Sequence, residues 1–199
     1  FLEIDDRPQW YVIRGGSKQY LKPLTASFQD KIRRETPVTQ VERTDSGVRI
    51  ATSDGGDELF EAVVLATHAD QSLQILNDAD EGERAFLEAF PYQENTAILH
   101  TDTTVLPNRR LAWAAWNYRI PRAASPVAKV SYNMNILQSL ALAKTYCVSL
   151  NMPVAPSSII KQMVYHHPVF TLAGAKKQTE YAATIGRRNT WFCGAWLRN

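Results

Sequence analysis

Two His-x-Asp pairs, His68 with Asp70 and His100 with Asp102, have the residue types and the spacing for metal binding. On a β-strand, side chains two positions apart lie on the same face, so each pair could offer an imidazole and a carboxylate to one ion. The chain has no Cys-x-x-Cys or His-Glu-x-x-His segment to complete a ligand set. Both pairs also stand near the ends of expected strands, where polar residues cap helices or meet solvent. We therefore predict no metal site.

The common signatures of nucleophilic and dinucleotide sites are absent from the sequence. It contains neither a Gly-x-Ser-x-Gly elbow nor a Gly-x-Gly-x-x-Gly phosphate loop. The segment His166-His167-Pro168 invites a catalytic interpretation, but proline restricts the residue before it to extended geometry, and a loop is the simpler prediction. The sequence therefore identifies no catalytic residue.

The segment Trp113–Tyr118 combines large aromatic residues with the alternation of a strand. Alternation places Trp116 and Tyr118 on one face and Asn117 on the other. Together with Tyr132, that face could line an apolar cavity for a lipid-like or polyene substrate. The alternative, more common for such residues, is that the aromatic rings fill the core of a small domain. Three asparagines could orient a substrate or serve turns and strand edges: Asn117, Asn133 and Asn135.

The elements that would position these residues include a short apolar run, Val63-Val64-Leu65. Such a run is typical of a strand buried on both faces of an α/β sheet, although a buried helix is not excluded. Residues 37–43 and 47–52 alternate, and a turn at 45–47 joins them. We predict a β-meander of these two segments and residues 59–66, whose last strand enters a sheet.

The residues after the apolar run, Ala66 and Thr67, are small. In open α/β sheets, nucleotides bind at the carboxyl ends of strands, where small residues let a ligand approach the backbone. Nucleotide binding is one interpretation of this segment, and an ordinary core strand is the other.

Helices and further strands are predicted along the rest of the chain. Apolar residues recur with a helical period over residues 17–34, where Ser17 is a plausible N-cap and Pro23 should bend the helix. Residues 71–76 and 85–90 are predicted as helical. Three segments are predicted as successive strands: 93–101, 110–118 and 128–135. The predicted fold class is therefore α/β to α+β.

Composition excludes several classes of protein. The 199 residues have a net charge of +2 and a pI near 8.6, and their basic residues form no continuous stripe, which disfavours nucleic acid as a partner. No apolar run approaches the roughly 20 residues of a membrane span, and no signal peptide is evident. Cys147 and Cys193 lie in apolar contexts and are predicted to be buried thiols. The cytoplasm is the expected location.

A series of short segments, in order along nearly the whole chain, resembles the flavin-containing amine oxidase superfamily, in particular its bacterial group of predicted NAD/FAD-binding proteins. No single motif is specific, and the ordered series carries the resemblance. Its segments are Arg7–Trp10 with Gly15–Ser17, Pro37-Val38, Val63–Gln71, Pro91-Tyr92, Leu99–Asp102, Trp113–Tyr118, His167-Pro168 and Thr190–Ala195.

The resemblance implies an FAD-binding domain with an inserted mixed-sheet substrate domain flanked by helices. Residues 1–70 would be a partial, Rossmann-like FAD domain, 71–180 the substrate domain, and 181–199 the return to the FAD domain. It also implies that five residues contact FAD and three line the substrate. The FAD contacts would be Val38, Ala66, Thr67, Gly194 and Ala195, and the substrate contacts Trp116, Tyr118 and Tyr132.

Measured against the family pattern, the sequence lacks the amino-terminal Gly-x-Gly-x-x-Gly unit and the helix that follows the late Gly-Ala segment. The expectation is therefore a fragment, inactive alone, of an FAD-dependent oxidoreductase that transfers hydride from an apolar small molecule to flavin. If Val63, Val64 and Leu65 lost their neighbours, self-association could cover them. The alternative is a non-redox module that binds a lipid or another apolar ligand.

Overall fold

The structure, a computed structural model, describes residues 9, 11–121 and 127–197, which form mixed sheets and helices of the α+β class. Short 3-10 turns lie between several of the regular elements. In chain order these are α1 (Lys18–Thr25), β1 (Val38–Thr44), β2 (Gly47–Thr52), β3 (Asp57–Phe60), β4 (Val63–Leu65), α2 (Ala69–Ile75), α3 (Glu81–Leu87), β5 (Tyr92–His100), β6 (Trp116–Tyr118), β7 (Val130–Asn133), α4 (Met134–Leu137), β8 (Cys147–Leu150), β9 (Ile159–Pro168), α5 (Leu172–Thr179), α6 (Tyr181–Thr184) and β10 (Thr190–Phe192).

The chain divides into two compact units. The first unit comprises Phe1–Ile32 and Asn95–Tyr165, and the second comprises Arg33–Glu94 and His166–Asn199. The predicted division into an FAD-binding domain and a substrate domain concerns the roles of these segments. It stays a prediction.

The first unit is built on a five-stranded sheet in the order β6-β7-β8-β5-β9. The strands β6, β7, β8 and β5 pair antiparallel in succession. The prediction of one long strand over residues 110–118 is wrong at its start, because residues 110–112 form a 3-10 turn. The predicted strand 128–135 ends at Asn133, whose side chain accepts a hydrogen bond from Ile136 N–H and caps α4.

The helix α1 is shorter than the predicted helix of residues 17–34. It ends at Thr25, and a separate 3-10 turn follows at Gln29–Lys31. Pro23 lies inside α1 and removes one backbone donor, while Thr25 Oγ1 donates to Leu21 O at 2.8 Å. The helix therefore ends before the apolar period does.

The second unit contains the predicted β-meander, β1-β2-β3, and a separate parallel pair, β4 with β10. The predicted strand over residues 59–66 is therefore two strands in two sheets. The helix predicted at 71–76 is α2, and the one predicted at 85–90 is α3, displaced toward the amino terminus. Apolar residues from these elements form one core cluster, which includes Val41, Val48 and Phe86.

The apolar run of β4 is buried on one face only. Val63 and Leu65 are 8% and 5% exposed, whereas Val64 between them is 62% exposed. The prediction that this strand is buried on both faces is therefore wrong, because the face that carries Val64 is exposed. Phe192 of β10 lies in register with Leu65, and it belongs to the same core cluster.

The two cysteines, both predicted to be buried, differ in exposure. Cys147 is buried as predicted, and burial raises the pKa of its thiol to about 11, but Cys193 is exposed.

His166 and His167 lie in β9 and not in a loop, because extended geometry before Pro168 also suits a strand. In the part of the chain that the structure describes, no helix combines the length and the apolar character needed to cross a membrane.

Candidate cofactor and substrate sites

The carboxyl ends of β4 and β10 meet at one edge of the parallel pair. Cys193 N–H donates to Leu65 O at 3.0 Å, and the Trp196 indole N–H donates to Thr67 O at 3.1 Å. Four of the predicted cofactor contacts therefore lie together, and all four are exposed: Ala66, Thr67, Gly194 and Ala195. The fifth, Val38, is the first residue of β1 in the same unit and is 38% exposed.

Backbone N–H groups at this edge are available to a ligand. Among the described residues, the N–H groups of Thr67, Gly194 and Ala195 have no hydrogen-bond partner. Successive backbone donors of this kind form anion-binding concavities in proteins. Donors of this kind suit an anionic group such as a pyrophosphate. The small residues Ala66, Gly194 and Ala195 leave the backbone exposed.

Gly194 has a backbone conformation that other residues rarely adopt, with φ at +155°. A Cβ at this position would lie 2.6 Å from Nε1 of Trp196, which is closer than real Cβ atoms come. The glycine is thus required by the close approach of the indole ring as well as by the backbone angle.

Trp196, which the sequence analysis did not identify, fixes this edge to the core. It is 2% exposed, and its ring centroid lies 4.7 Å from that of Phe90 and 6.0 Å from that of Phe86. Its carbonyl accepts a hydrogen bond from Gln178 Nε2 at 3.0 Å. An aromatic residue directly after Gly-Ala is the signal in the sequence, but the partners of the ring cannot be inferred from it.

A cavity of about 630 Å³ adjoins Gly194 and Cys193. Tyr181 also lines it, and its hydroxyl donates to Phe192 O at 2.6 Å. Burial raises the pKa of Tyr181, so the phenol stays protonated and keeps this bond. The cavity shows that the exposed strand ends are bordered by space within the second unit.

His68 follows Thr67 and lies against Tyr92, another residue whose role the sequence did not reveal. The two rings are stacked, with centroids 4.2 Å apart and planes 16° apart. Tyr92 Oη accepts a hydrogen bond from Ala69 N–H at 3.1 Å, and burial raises the pKa of the phenol. The His68 imidazole lies 3.9 Å from the Asp70 carboxylate. The Tyr92 side chain therefore holds the start of α2 through the stacked His68 ring and the Ala69 hydrogen bond.

The predicted substrate contacts share one face of the first unit's sheet, here called the aromatic face. Trp116 pairs with Tyr132 across β6 and β7, with ring centroids 5.8 Å apart at an angle of 79°. The register adds Val148 and Leu99 beside Tyr132, and it places Val130, Leu150 and Ala97 beside Tyr118. Trp116 and Tyr118 are 51% and 67% exposed, so the interpretation as core filling is wrong for these two rings.

The opposite face, here called the polar face, is closed. Its cross-strand positions include Ser131, Ser149, Cys147 and His100, which are at most 1% exposed. Because Asp102 N–H donates to His100 Nδ1 at 3.1 Å, Nε2 carries the proton and donates to Ser149 Oγ at 2.8 Å. Ser149 and Ser131 hydroxyls are 2.7 Å apart. The second His-x-Asp pair is thus part of a buried hydrogen-bond row.

The buried imidazole predicts a loss of stability at low pH. Burial lowers the pKa of His100, and the Asp102 charge offsets this only in part. Because the folded pKa lies below the ordinary value of 6.5, the contribution of the neutral ring is complete above that value and is lost as the pH falls from there toward the folded pKa. We expect the midpoint of thermal unfolding to fall more steeply from about pH 8 to pH 5 in the wild type than in His100→Gln. Equal slopes in the wild type and in His100→Gln would contradict the prediction.

The three asparagines have structural roles. Asn117 Nδ2 donates to Ala114 O and Ser131 O, and its Oδ1 accepts from Ala114 N–H. Asn135 binds the backbone of Leu142, Lys144 and Tyr146 in the same way. Of the two interpretations, the role in turns and strand edges is the observed one.

A second cavity, of about 300 Å³, lies beside Tyr118 and Arg119 at the end of β6. Its other wall is the loop of residues 104–108. This loop is held by Trp113, whose indole donates to Pro107 O at 2.7 Å and whose ring lies 5.2 Å from the Arg110 guanidinium. Within the described residues, no group of three or more His, Cys, Asp and Glu side chains could hold a metal ion.

Comparisons with known proteins give a family and a fold. The family model described as flavin containing amine oxidoreductase matches residues 2–121. No curated protein sequence matches the chain. Similar solved structures include a fatty acid isomerase from P. acnes that produces CLA, with 19% identity and a TM-score of 0.63, covering 90% of this chain and 47% of that one.

Two other similar structures are named for different activities. Reduced UDP-galactopyranose mutase has 12% identity and a TM-score of 0.60, with 92% of this chain and 47% of that chain covered. Wild-type putrescine oxidase bound to putrescine has 11% identity and a TM-score of 0.58, with 92% and 48% covered. The chain spans about half the length of these proteins, and at these identities the likeness concerns the fold alone.

Proposed function

The chain belongs to the family of flavin-containing amine oxidoreductases, and from that premise we propose that it is part of an FAD-dependent enzyme that oxidises or isomerises an apolar small molecule. FAD supplies the hydride acceptor when bound. The residues of this chain would contact the cofactor and the substrate and position them.

The observation that carries this proposal is the exposed edge formed by β4 and β10. Three backbone N–H groups, those of Thr67, Gly194 and Ala195, have no partner in the described part of the chain and suit an anionic pyrophosphate. Small residues leave the backbone accessible there. We propose that Ala66 and Val38 complete the contacts to FAD. The segments around these residues would then form a partial, Rossmann-like FAD domain.

The aromatic face is the proposed substrate side. Six of its eight cross-strand positions are exposed or half-buried, although all eight side chains are aromatic or aliphatic. The polar face of the same sheet is buried. A sheet that exposes its apolar side and buries its polar side is suited to an apolar ligand, for which Trp116, Tyr118 and Tyr132 provide the largest contact area.

Several finer points belong to the same proposal. The 199 residues contain the substrate side but no phosphate loop, so we expect them to be inactive without the remaining part of the FAD domain. The exposed Val64 offers a surface for that part or, in its absence, for self-association. A cytoplasmic location accords with the exposed, unpaired thiol of Cys193.

The test is the flavin content of the complete protein, measured by its visible absorbance and by release of FAD on denaturation. We expect one FAD per chain in the wild type. Ala195→Leu adds bulk at an exposed position and should lower FAD content at least tenfold, while Ala182→Leu, at an exposed helix position of the same unit, should leave it unchanged. A complete protein without flavin that copurifies with an apolar ligand would instead support the non-redox binding module.

A further inference from the structure

We propose that the ligand of the aromatic face is an anionic amphiphile, a single-chain carboxylate whose head group is bound by Arg119. The inference rests on the proposed substrate side and adds the charge of the substrate. The word amine in the family name suggests the opposite charge.

The charge of the sequence is strongly uneven. Residues 95–165 contain one acidic side chain, Asp102, and seven basic ones. The rest of the chain has 15 basic and 19 acidic residues, so the near-neutral total conceals a cationic substrate side. The seven are Arg109, Arg110, Arg119, Arg122, Lys129, Lys144 and Lys161.

The single acidic group of this segment is already occupied. Asp102 Oδ1 accepts hydrogen bonds from Thr104 N–H and the Thr104 hydroxyl at 2.9 and 2.7 Å, and Oδ2 accepts from Ala155 N–H at 3.0 Å. The carboxylate therefore holds two loops together. Among the described residues of the first unit, no carboxylate forms an ion pair with Arg109, Arg110, Arg119 or Lys129.

Arg119 is the cation best placed to meet a ligand on the aromatic face. Its backbone N–H donates to Lys129 O at 2.9 Å, which fixes the position immediately after Tyr118. Tyr118 and Arg119 both line the cavity of about 300 Å³. Alternation puts Arg119 on the opposite side of β6 from Tyr118. Because β6 is the edge strand of the sheet, a ligand on the aromatic face can pass over this edge and place its head group in the cavity that Arg119 lines.

The two surfaces together define the ligand. The eight cross-strand positions of the aromatic face hold no charged side chain. The alternation continues beyond Tyr118 to Ile120, which is 84% exposed. An apolar body contacts this face, and a guanidinium at its end favours a planar carboxylate. A cavity of about 300 Å³ accommodates a head group and the first part of one chain, but not a two-chain lipid.

The proposal is tested by the binding of three ligands: dodecanoate, dodecylamine and dodecanol. All three have the same twelve-carbon chain, which is about the length of the aromatic face. The complete protein is titrated by calorimetry below the micelle concentration of each ligand. We expect dodecanoate to bind at least about tenfold tighter than dodecylamine, and salt to weaken it selectively. Equal or tighter binding of dodecylamine would overturn the proposal.

Variants of Arg119 test whether this residue binds the head group of the ligand. Arg119→Ala should weaken dodecanoate about 10- to 100-fold and leave dodecanol unchanged, and Arg119→Lys should restore part of the loss. Arg49→Ala, which removes an exposed arginine of β2, is the matched control and should bind like the wild type. Wild-type binding by Arg119→Ala would overturn the assignment. These measurements need no flavin. A complete protein that lacks FAD but prefers dodecanoate would therefore contradict the proposed FAD-dependent function and still support the proposed ligand.

Discussion

Replacing Arg43 by methionine is expected to lower the free energy of unfolding by about 3–5 kcal/mol. The Arg43 side chain is 2% exposed and forms ion pairs with Asp78, at 2.9 Å, and with Glu83, which is 1% exposed. Its second terminal nitrogen donates to Glu83 Oε2 at 2.8 Å. Removal of the guanidinium would leave the Glu83 carboxylate buried without a countercharge, and this penalty accounts for most of the expected loss.

The buried pair connects elements that are distant in the sequence. Arg43 lies in β1, and Glu83 lies in the first turn of α3, where its side chain also accepts a hydrogen bond from Asp80 N–H at 2.9 Å. Arg188, which precedes β10, pairs with Asp78 as well. The network therefore fixes the meander, α3 and the start of β10, and thereby supports the proposed cofactor edge.

Urea unfolding at neutral pH measures this effect. Arg49→Met is the matched control, since Arg49 lies on the adjacent strand and its pair with Asp57 is more than half exposed on both sides. Exposed pairs contribute about 1 kcal/mol or less, so the control should unfold close to the wild type. Similar losses in both variants would show that burial of the Arg43 pair has no special role.

Replacing Trp196 by alanine is expected to destabilise the protein by about 3–5 kcal/mol. The ring is buried against Phe86 and Phe90, and its N–H donates to Thr67 O. Truncation removes this packing and leaves a cavity directly beneath the exposed strand ends. It also removes the hydrogen bond that holds Thr67 O to Trp196, so any FAD bound by the complete protein should be lost in the same variant.

Trp196→Phe separates the two contributions of the ring. Phenylalanine keeps most contacts with Phe86 and Phe90 but cannot donate to Thr67 O. Thr67 is exposed, so water can replace the lost donor, and the expected cost is about 0.5–1.5 kcal/mol. Thermal and urea unfolding of both variants provide the measurement. If phenylalanine cost as much as alanine, the indole hydrogen bond rather than ring packing would hold the edge.

Local pattern predicted much of the fold and part of the site. Alternation in residues 37–52 identified β1 and β2, and alternation in Trp116–Tyr118 correctly placed the two aromatic rings on the same face. The small residues after β4 and the glycine after β10 were identified as strand ends, and the structure brings them together. These features depend on backbone periods of two residues and on the conformational freedom of glycine, which short segments specify.

The sequence by itself determined the charge of residues 95–165, the apolar run of β4 and the aromatic alternation of β6, because composition and periodicity are local properties. Only the tertiary structure decided that β10 is the partner of β4, that Val64 is exposed and that Arg43 meets Glu83. It also decided that the polar face of the sheet is closed while the aromatic face is open. These outcomes depend on contacts between residues far apart in the chain, and the period of a single strand does not specify which partner covers each of its faces.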